Sequence, residues 1–201
     1  MKYIDECYVF GAKEFKENIK SEQEIREINK LIYKGENCFE LEVYKKLRDY
    51  SLEHQKLVWE VLNINFDKSY PESEVYKDAI AIVDKYKDKI FKKSDGAWIF
   101  EGEKIKKDLK TWVFQTGEGN PTYSAKDLGL AVRKFDEFPN LTKGYITTSV
   151  EQKDYFKAVI KVLELIDEKF NGKYIHIPFG WMLRESGQKF SSRMGDTVKG
   201  M

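Results

Sequence analysis

The sequence is poor in the residues that mark linkers, disulfide frameworks and metal sites. It has four prolines, two cysteines and two histidines among 201 residues. So few prolines exclude a proline-rich linker or a collagen-like segment. Cys7 and Cys38 are not spaced as CxxC, so they predict free thiols in a reducing compartment and neither a zinc site nor a disulfide framework. His54 and His176 lie too far apart in sequence to suggest a histidine-rich metal site, and no metal ligand is predicted.

Long apolar runs and an excess of charge of one sign are also missing. No run approaches the roughly 18 apolar residues that suggest a membrane span. The first ten residues have no long apolar stretch behind a basic one, so no signal peptide is predicted and we expect a cytoplasmic protein without a membrane partner. Lys plus Arg is 35 and Asp plus Glu is 34, so any nucleic-acid contact must come from a local patch. The hydrophobic share of 41% and the aromatic share of 14% exclude global disorder.

Helical patterns dominate the first ninety residues. A capping box from Ser21 to Glu24 predicts a helix start, and Gly35 predicts its end. Apolar residues then recur at helical spacing over residues 39–62, as one long helix or as two with a second cap at Ser51. Ser73 is predicted to cap a further helix.

The pattern changes after residue 94, and from residue 111 strands alternate with helices. Short strands are predicted at 97–100 and 111–116. A helix at 125–135, a strand at 145–150, a helix at 152–169 and a strand at 174–179 follow. This alternation predicts parallel strands with crossover helices, as in half of a doubly wound nucleotide-binding sheet. We therefore divide the chain into a helical region with short strands at 1–110 and an α/β region at 111–201. No GxGxxG or GxxxxGK[ST] motif occurs, which argues against a dinucleotide site and a P-loop.

Several short motifs occur together in a fixed order. They are Asn65-Phe66-Asp67 with Glu72-Ser73, GAWIF, WVFQT, TYSAKDLGLA, VEQKDYF, HIPFGWM and KFSSRMGDTV. This combination resembles the class I arginyl-tRNA synthetases over residues 60–199. The resemblance implies an α/β fold, the second half of a Rossmann-like class I synthetase catalytic sheet, preceded by a mainly helical insertion with small strands.

The resemblance implies that Tyr123, Asp127 and Gln152 bind arginine. The chemistry agrees, because a carboxylate pairs with the planar guanidinium fork and an aromatic ring can lie against it. Two alternatives stay open from the residues alone. Ser124-x-x-Asp127 is itself a capping box, and Gln152 can cap a helix three residues after Ser149. Tyr155 replaces a histidine that is frequent in the family, so the role of that position is undefined.

The resemblance also implies an ATP site formed by Phe179, Gly180, Met182, Lys189, Ser191 and Arg193. Lys189 and Arg193 are the candidate catalytic residues, because in-line attack on the α-phosphate needs positive charge where negative charge develops. Lys189 to Arg193 occupy the place of the KMSKS loop, with Ser192 where that motif has its second lysine. His176 matches the family's histidine before the Phe-Gly pair, and we favour a structural role for it.

The implied function is that of arginine–tRNA ligase, which uses arginine, ATP with Mg²⁺, and the acceptor end of tRNA. A HIGH-type motif is absent from the 201 residues. We therefore expect an internal piece of a synthetase that lacks N-terminal and C-terminal parts and is inactive alone. The alternatives are a piece of a class I synthetase for another amino acid, or a non-catalytic tRNA-binding fragment or paralogue.

Overall fold

The computed structural model describes residues 2–181 together with 183, 186 and 187. Its chain forms two compact units, one within the first 67 residues and the other from Lys68 to Trp181. No helix in the part described is long and apolar enough to cross a membrane.

The first unit consists of three helices, α1 (Lys2–Glu17), α2 (Ile19–Lys34) and α3 (Phe39–Val61). Asn18 caps α2, because its side chain accepts hydrogen bonds from the amides of Lys20 and Ser21 at 3.1 and 3.5 Å. The predicted start at Ser21 is therefore wrong: Ser21 lies inside α2, where its hydroxyl donates to Glu14. The predicted end at Gly35 is confirmed by its left-handed backbone, φ 70°.

Helix α3 is continuous, so the residues 39–62 form one helix and Ser51 does not start a second. Its side chains are mostly accessible, and Leu41 is its buried residue. After α3, the ring of Phe66 packs edge-on against Trp59, with centroids 4.7 Å apart.

The second unit begins with α4 (Glu72–Lys85) and a three-stranded antiparallel sheet. Its strands are β1 (Lys92–Ser94), β2 (Ala97–Glu101) and β3 (Thr111–Gln115). Helix α4 begins directly after Pro71, whose backbone is extended. Ser73 therefore lies within the first turn, and the predicted cap at Ser73 is wrong.

The remainder of this unit is α5 (Tyr123–Glu137), β4 (Gly144–Ser149), α6 (Lys153–Ile166) and β5 (Tyr174–Phe179). Strands β4 and β5 are parallel and in register from the Gly144–Tyr174 pair to the Ser149–Phe179 pair. The predicted parallel pairing across the helix at 152–169 is thus confirmed, with α6 ending three residues earlier.

Strand β3 does not follow the predicted parallel arrangement. It pairs antiparallel with β2, with Phe100 opposite Trp112 and Glu101 opposite Thr111. In the described residues, β4 and β5 form a separate two-stranded sheet. The prediction of a parallel β3 from the alternation of strands and helices is wrong. Only nine residues separate β2 from β3, and consecutive strands usually pair with their neighbour in sequence.

The hydrophobic core of the second unit lies between its helices and both sheets. Each of α5 and α6 packs against β3, and the two helices pack against each other. The largest buried side chains are Phe91, Phe100, Phe114, Phe156, Phe170, Leu128 and Leu163. This core fixes the start of α5 beside the start of α6, which are the two segments that carry the predicted arginine-binding residues.

Candidate active site

The start of α5 is tied to the end of β3 by Thr122. Its hydroxyl donates to the carbonyl oxygens of Val113 at 2.6 Å and Phe114 at 3.1 Å, and its amide donates to Phe114 at 3.0 Å. Thr122 thus takes the N-cap position without a side-chain capping bond. The first residues of α5 are therefore held at the carboxyl end of β3.

This helix start excludes the capping alternative for Asp127. Because α5 begins at Tyr123, Ser124 and Asp127 both lie inside the helix, and Ser124 is buried. Asp127 directs its carboxylate across to α6, where the Tyr155 hydroxyl donates to its Oδ2 atom at 2.5 Å.

The contact between Asp127 and Tyr155 joins two of the sequence motifs. Asp127 belongs to TYSAKDLGLA and Tyr155 to VEQKDYF, 28 residues further along the chain. The sequence assigns no role to Tyr155, and the structure places its hydroxyl on the Asp127 carboxylate. Its place three residues after Gln152, on the first turn of α6, was the signal that could have pointed to it.

The surroundings of the Asp127 carboxylate are largely closed to water. Burial raises its pKa, and the hydrogen bond from Tyr155 opposes that rise by favouring the carboxylate. Burial and the charge of Asp127 raise the pKa of Tyr155, so its hydroxyl keeps its proton and remains a donor. The Tyr174 hydroxyl is buried without a hydrogen-bond partner in the part of the chain described here, and its pKa is raised by burial and by Asp127.

Aromatic rings hold Tyr155 in place. Trp112 of β3 packs against it edge to face with centroids 5.4 Å apart, and Phe156 does so from the same helix at 4.8 Å. Each such pair stabilises by about 0.5–1.5 kcal/mol beyond the area it buries. The Tyr155 hydroxyl is therefore presented to Asp127 by a fixed ring.

Tyr123 and Gln152 both lie at the surface. The Tyr123 side chain is 72% exposed, at the first position of α5. Gln152 is exposed in the short turn between β4 and α6 and makes no side-chain capping bond, so the capping alternative for this residue is wrong too. The cap in that turn is Ser149, whose hydroxyl accepts from the Glu151 amide at 3.4 Å.

The Glu72-Ser73 segment also reaches this region. Glu72 of α4 forms an ion pair with Lys126 of α5, and Lys126 is only 8% exposed. The Lys126 ammonium lies 5.3 Å from the centre of the Tyr123 ring. Three of the predicted motifs therefore contact one another around the first turns of α5.

The predicted ATP-binding residues are only partly described. Phe179 and Gly180 are exposed at the carboxyl end of β5. Open space surrounds the position of a Gly180 Cβ, so a ligand can approach this backbone closely. Because Ser149 pairs with Phe179, this segment and the turn that carries Gln152 both lie at the carboxyl ends of the two parallel strands. Met182, Lys189, Ser191 and Arg193 lie outside the described residues.

His176 has the structural surroundings that the sequence favoured. Its Nε2 atom is 2.9 Å from the Thr148 hydroxyl of the neighbouring strand, and its ring lies 4.8 Å from that of Phe156. Burial and the charge of Lys153 lower its pKa, which favours the neutral imidazole.

A resident metal site is not found in the part of the chain that is described. No group of three or more histidine, cysteine, aspartate or glutamate side chains there could hold a metal ion. Cys7 and Cys38 are free thiols, exposed and half-buried respectively.

Comparison with known proteins identifies the class of protein and then the family. The catalytic-domain family described as tRNA synthetases class I (R) matches residues 1–201. The arginine–tRNA ligase of Borreliella burgdorferi is 30% identical over 202 residues, which cover 97% of this chain and 34% of that protein. The enzyme of Ligilactobacillus salivarius is also 30% identical, over 95% of this chain and 33% of its own length.

Solved structures agree on the fold. An arginyl-tRNA synthetase from Plasmodium falciparum superposes with a TM-score of 0.65 and 17% identity, covering 84% of this chain and 32% of that chain. A structure described as a putative arginyl-tRNA synthetase from Campylobacter jejuni gives a TM-score of 0.57 with 18% identity, over 92% of this chain and 45% of its own.

The fold and the motifs are thus those of a class I aminoacyl-tRNA synthetase catalytic domain. Within that class, the chain belongs to the arginyl-tRNA synthetase catalytic-domain family. It spans about a third of the length of the curated relatives it matches.

Proposed function

We propose that the chain is the part of a cytoplasmic arginine–tRNA ligase that selects arginine and forms one side of the ATP site. The observation that carries the proposal is the Asp127 carboxylate, which is half-buried and receives its hydrogen bond from a neutral hydroxyl. A carboxylate that is partly removed from water is stabilised by a cationic partner, and the guanidinium of arginine has five donors in a planar fork.

In this proposal, Asp127 binds the guanidinium, the Tyr123 ring lies against it, and Gln152 hydrogen-bonds it. The exposure of Tyr123 and Gln152 suits both for contact with a ligand, since neither side chain is occupied by core packing. Arginine is favoured over a neutral amino acid because an uncharged side chain leaves the half-buried carboxylate without a counterion.

The remaining predicted residues act on ATP, which is bound as its Mg²⁺ complex. Phe179, Gly180 and Met182 lie along the adenine. Lys189, Ser191 and Arg193 hold the phosphates. The arginine carboxylate attacks the α-phosphorus in line, pyrophosphate leaves, and Lys189 with Arg193 stabilises the charge of the transition state. A ribose hydroxyl at the acceptor end of tRNA then attacks the arginyl-adenylate, and AMP leaves.

The test uses a hybrid enzyme. In it, this chain replaces the segment of the Borreliella burgdorferi arginine–tRNA ligase with which it aligns. We expect ATP–pyrophosphate exchange that depends on arginine and is not supported by lysine or by citrulline, the neutral isostere of arginine. The 201-residue chain alone serves as the control and is expected to show no exchange, because it contains no His-x-Gly-His sequence.

Three results would contradict the proposal. One is a hybrid that is folded by circular dichroism but does not respond to arginine. Another is a hybrid that responds equally to lysine, which would favour a synthetase for a different amino acid. The third is tRNA binding by a folded hybrid without exchange, which would favour a non-catalytic RNA-binding role.

A further inference from the structure

Tyr155 departs from the family pattern, and the structure gives that departure a definite contact. The pattern has a frequent histidine at this position, and here the phenol reaches Asp127 Oδ2 at 2.5 Å from the neighbouring helix. Trp112 and Phe156 fix the ring. The ring is therefore held by two aromatic neighbours, and its hydroxyl is directed at one carboxylate oxygen.

The one hydrogen bond from Tyr155 does not use all the acceptor positions of the Asp127 carboxylate. A carboxylate has about four lone-pair positions, and the Tyr155 hydroxyl takes one of them. The remaining positions are the ones that a bidentate guanidinium would use. The Tyr155 contact orients the carboxylate without filling the positions that a bidentate partner needs.

The Tyr155 hydroxyl is a neutral donor, whereas a histidine at this position can carry a positive charge. A protonated imidazole would bring a positive charge to Asp127 and compete with a cationic ligand. The phenol hydroxyl supplies a hydrogen bond and adds no positive charge at the carboxylate. Arginine can then act as the counterion of Asp127.

We propose that Tyr155 is a positioning residue: its hydroxyl holds the Asp127 carboxylate in the orientation that receives the arginine guanidinium. This inference rests on the proposed function, since it requires that Asp127 binds arginine. It goes further by assigning a role in substrate affinity to a residue that does not itself touch the substrate.

The charged and titratable groups around Asp127 determine the expected pH dependence. They are Glu72 on α4, Lys126 and Lys134 on α5, Tyr155 on α6 and Tyr174 on β5. Burial has the largest effect and raises the Asp127 pKa, the Tyr155 hydrogen bond and the two lysines lower it, and Glu72 raises it, so that the net shift is upward. Loss of the Tyr155 hydroxyl therefore raises the Asp127 pKa, and the carboxylate is lost at a higher pH.

The experiment compares Tyr155→Phe and Tyr155→His with the parent hybrid enzyme. We expect Tyr155→Phe to raise the arginine KM about tenfold, the loss typical of one hydrogen bond to a charged group. The kcat should change by less than about twofold, because the hydroxyl acts on binding of the ground state and transition state alike. The acid limb of kcat/KM for arginine should move to higher pH. Tyr155→His should restore part of the affinity through its N–H donor at a pH where the imidazole is neutral, and less of it where the imidazole is protonated.

The control is Tyr86→Phe, which removes a hydroxyl that donates to the Ile166 carbonyl at 3.3 Å in the same unit. It should leave the arginine KM and the pH profile unchanged. A ¹³C titration of the Asp127 carboxyl in the 201-residue chain gives a readout that needs no activity, and Tyr155→Phe should raise that pKa.

The outcomes separate the two proposals. If Asp127→Asn leaves the arginine KM unchanged, the proposed function fails. If Asp127→Asn raises the KM but Tyr155→Phe changes neither the KM, the acid limb nor the Asp127 pKa, the positioning role alone is overturned. A fall in kcat with an unchanged KM would also overturn it.

Discussion

Gly129 of α5 lies against the backbone of Ala79 in α4. A Cβ atom at Gly129 would be 2.9 Å from the Ala79 amide nitrogen and 3.2 Å from its Cα atom. Helix α5 carries Tyr123 and Asp127, and α4 carries Glu72, so this close approach supports the geometry of the candidate site. Only glycine permits the two helices to come so near.

We expect Gly129→Ala to destabilise the second unit. Overpacking costs about 1–3 kcal/mol, which exceeds the gain of up to about 1 kcal/mol that alanine brings to a helix interior. The melting temperature should fall by several degrees, at about 2–4 °C per kcal/mol for a chain of this length. Gly180→Ala is the matched control, since nothing lies within 4 Å of its Cβ position. A Gly129→Ala variant as stable as the parent would contradict the close helix contact.

His176 makes stability depend on pH. Burial and Lys153 lower its pKa in the folded protein, so below about pH 6.5 the unfolded chain binds the proton more readily than the folded one. The stability that the neutral imidazole contributes is present above that pH and is lost as the pH falls towards the lowered pKa. His176→Gln should therefore show a smaller drop in melting temperature between about pH 7.5 and pH 5.

The control for that measurement is His54→Gln, which removes the other imidazole from α3 of the first unit. An equal drop in melting temperature for the parent chain and for His176→Gln would show that His176 does not titrate as its surroundings indicate.

Lys189 provides a prediction about chemistry, carried by the resemblance of its loop to the KMSKS motif. In the hybrid enzyme, Lys189→Ala should lower kcat for pyrophosphate exchange by about 10²–10³, the loss typical of one group that stabilises transition-state charge. The arginine KM should change much less, because the charge is needed where the phosphoryl transition state develops. An unchanged kcat would remove Lys189 from the mechanism.

Much of the fold could be predicted from local pattern. The alternation after residue 111 predicted the parallel pairing of β4 with β5, and Gly35 predicted a helix end. Predictions from local sequence are wrong where the chain offers two possible caps or two possible strand partners. Asn18 caps α2 in place of Ser21, and β3 pairs with the adjacent β2 in place of the parallel sheet. The spacing of residues in the sequence does not show which of two possible caps or strand partners is used, because that depends on which one lies nearest in the folded chain.

For the arginine-binding part of the candidate site, the family motifs predict three residues and give Tyr155 no role. A hydrogen bond between side chains 28 residues apart has no signature in sequence spacing. The capping alternative for Asp127 was also open until the helix start was known. A difference of two residues in the helix start, Tyr123 and not Ala125, decides whether Ser124 and Asp127 can form a capping box.

The proposed role of the Asp127 carboxylate is to select arginine. In the hybrid enzyme, Asp127→Asn removes the charge and keeps the shape, so the lost pair, about 2–5 kcal/mol when desolvated, should raise the arginine KM at least tenfold. Stability should respond differently. Because burial raises the Asp127 pKa, the fold disfavours the charged form, and the melting temperature at neutral pH should not fall. Any gain in melting temperature should become smaller as the pH falls, because Asp127 binds its proton at a higher pH in the folded protein than in the unfolded chain.

The arginine KM of Asp127→Asn, measured beside a melting curve, tests this claim most directly. Asp136→Asn is the control, an exposed aspartate on the same helix whose partner is Lys169. We expect a KM raised at least about tenfold for Asp127→Asn alone, with a melting temperature equal to or above that of the parent. A near-normal KM, or a rise that Asp136→Asn reproduces, would contradict it.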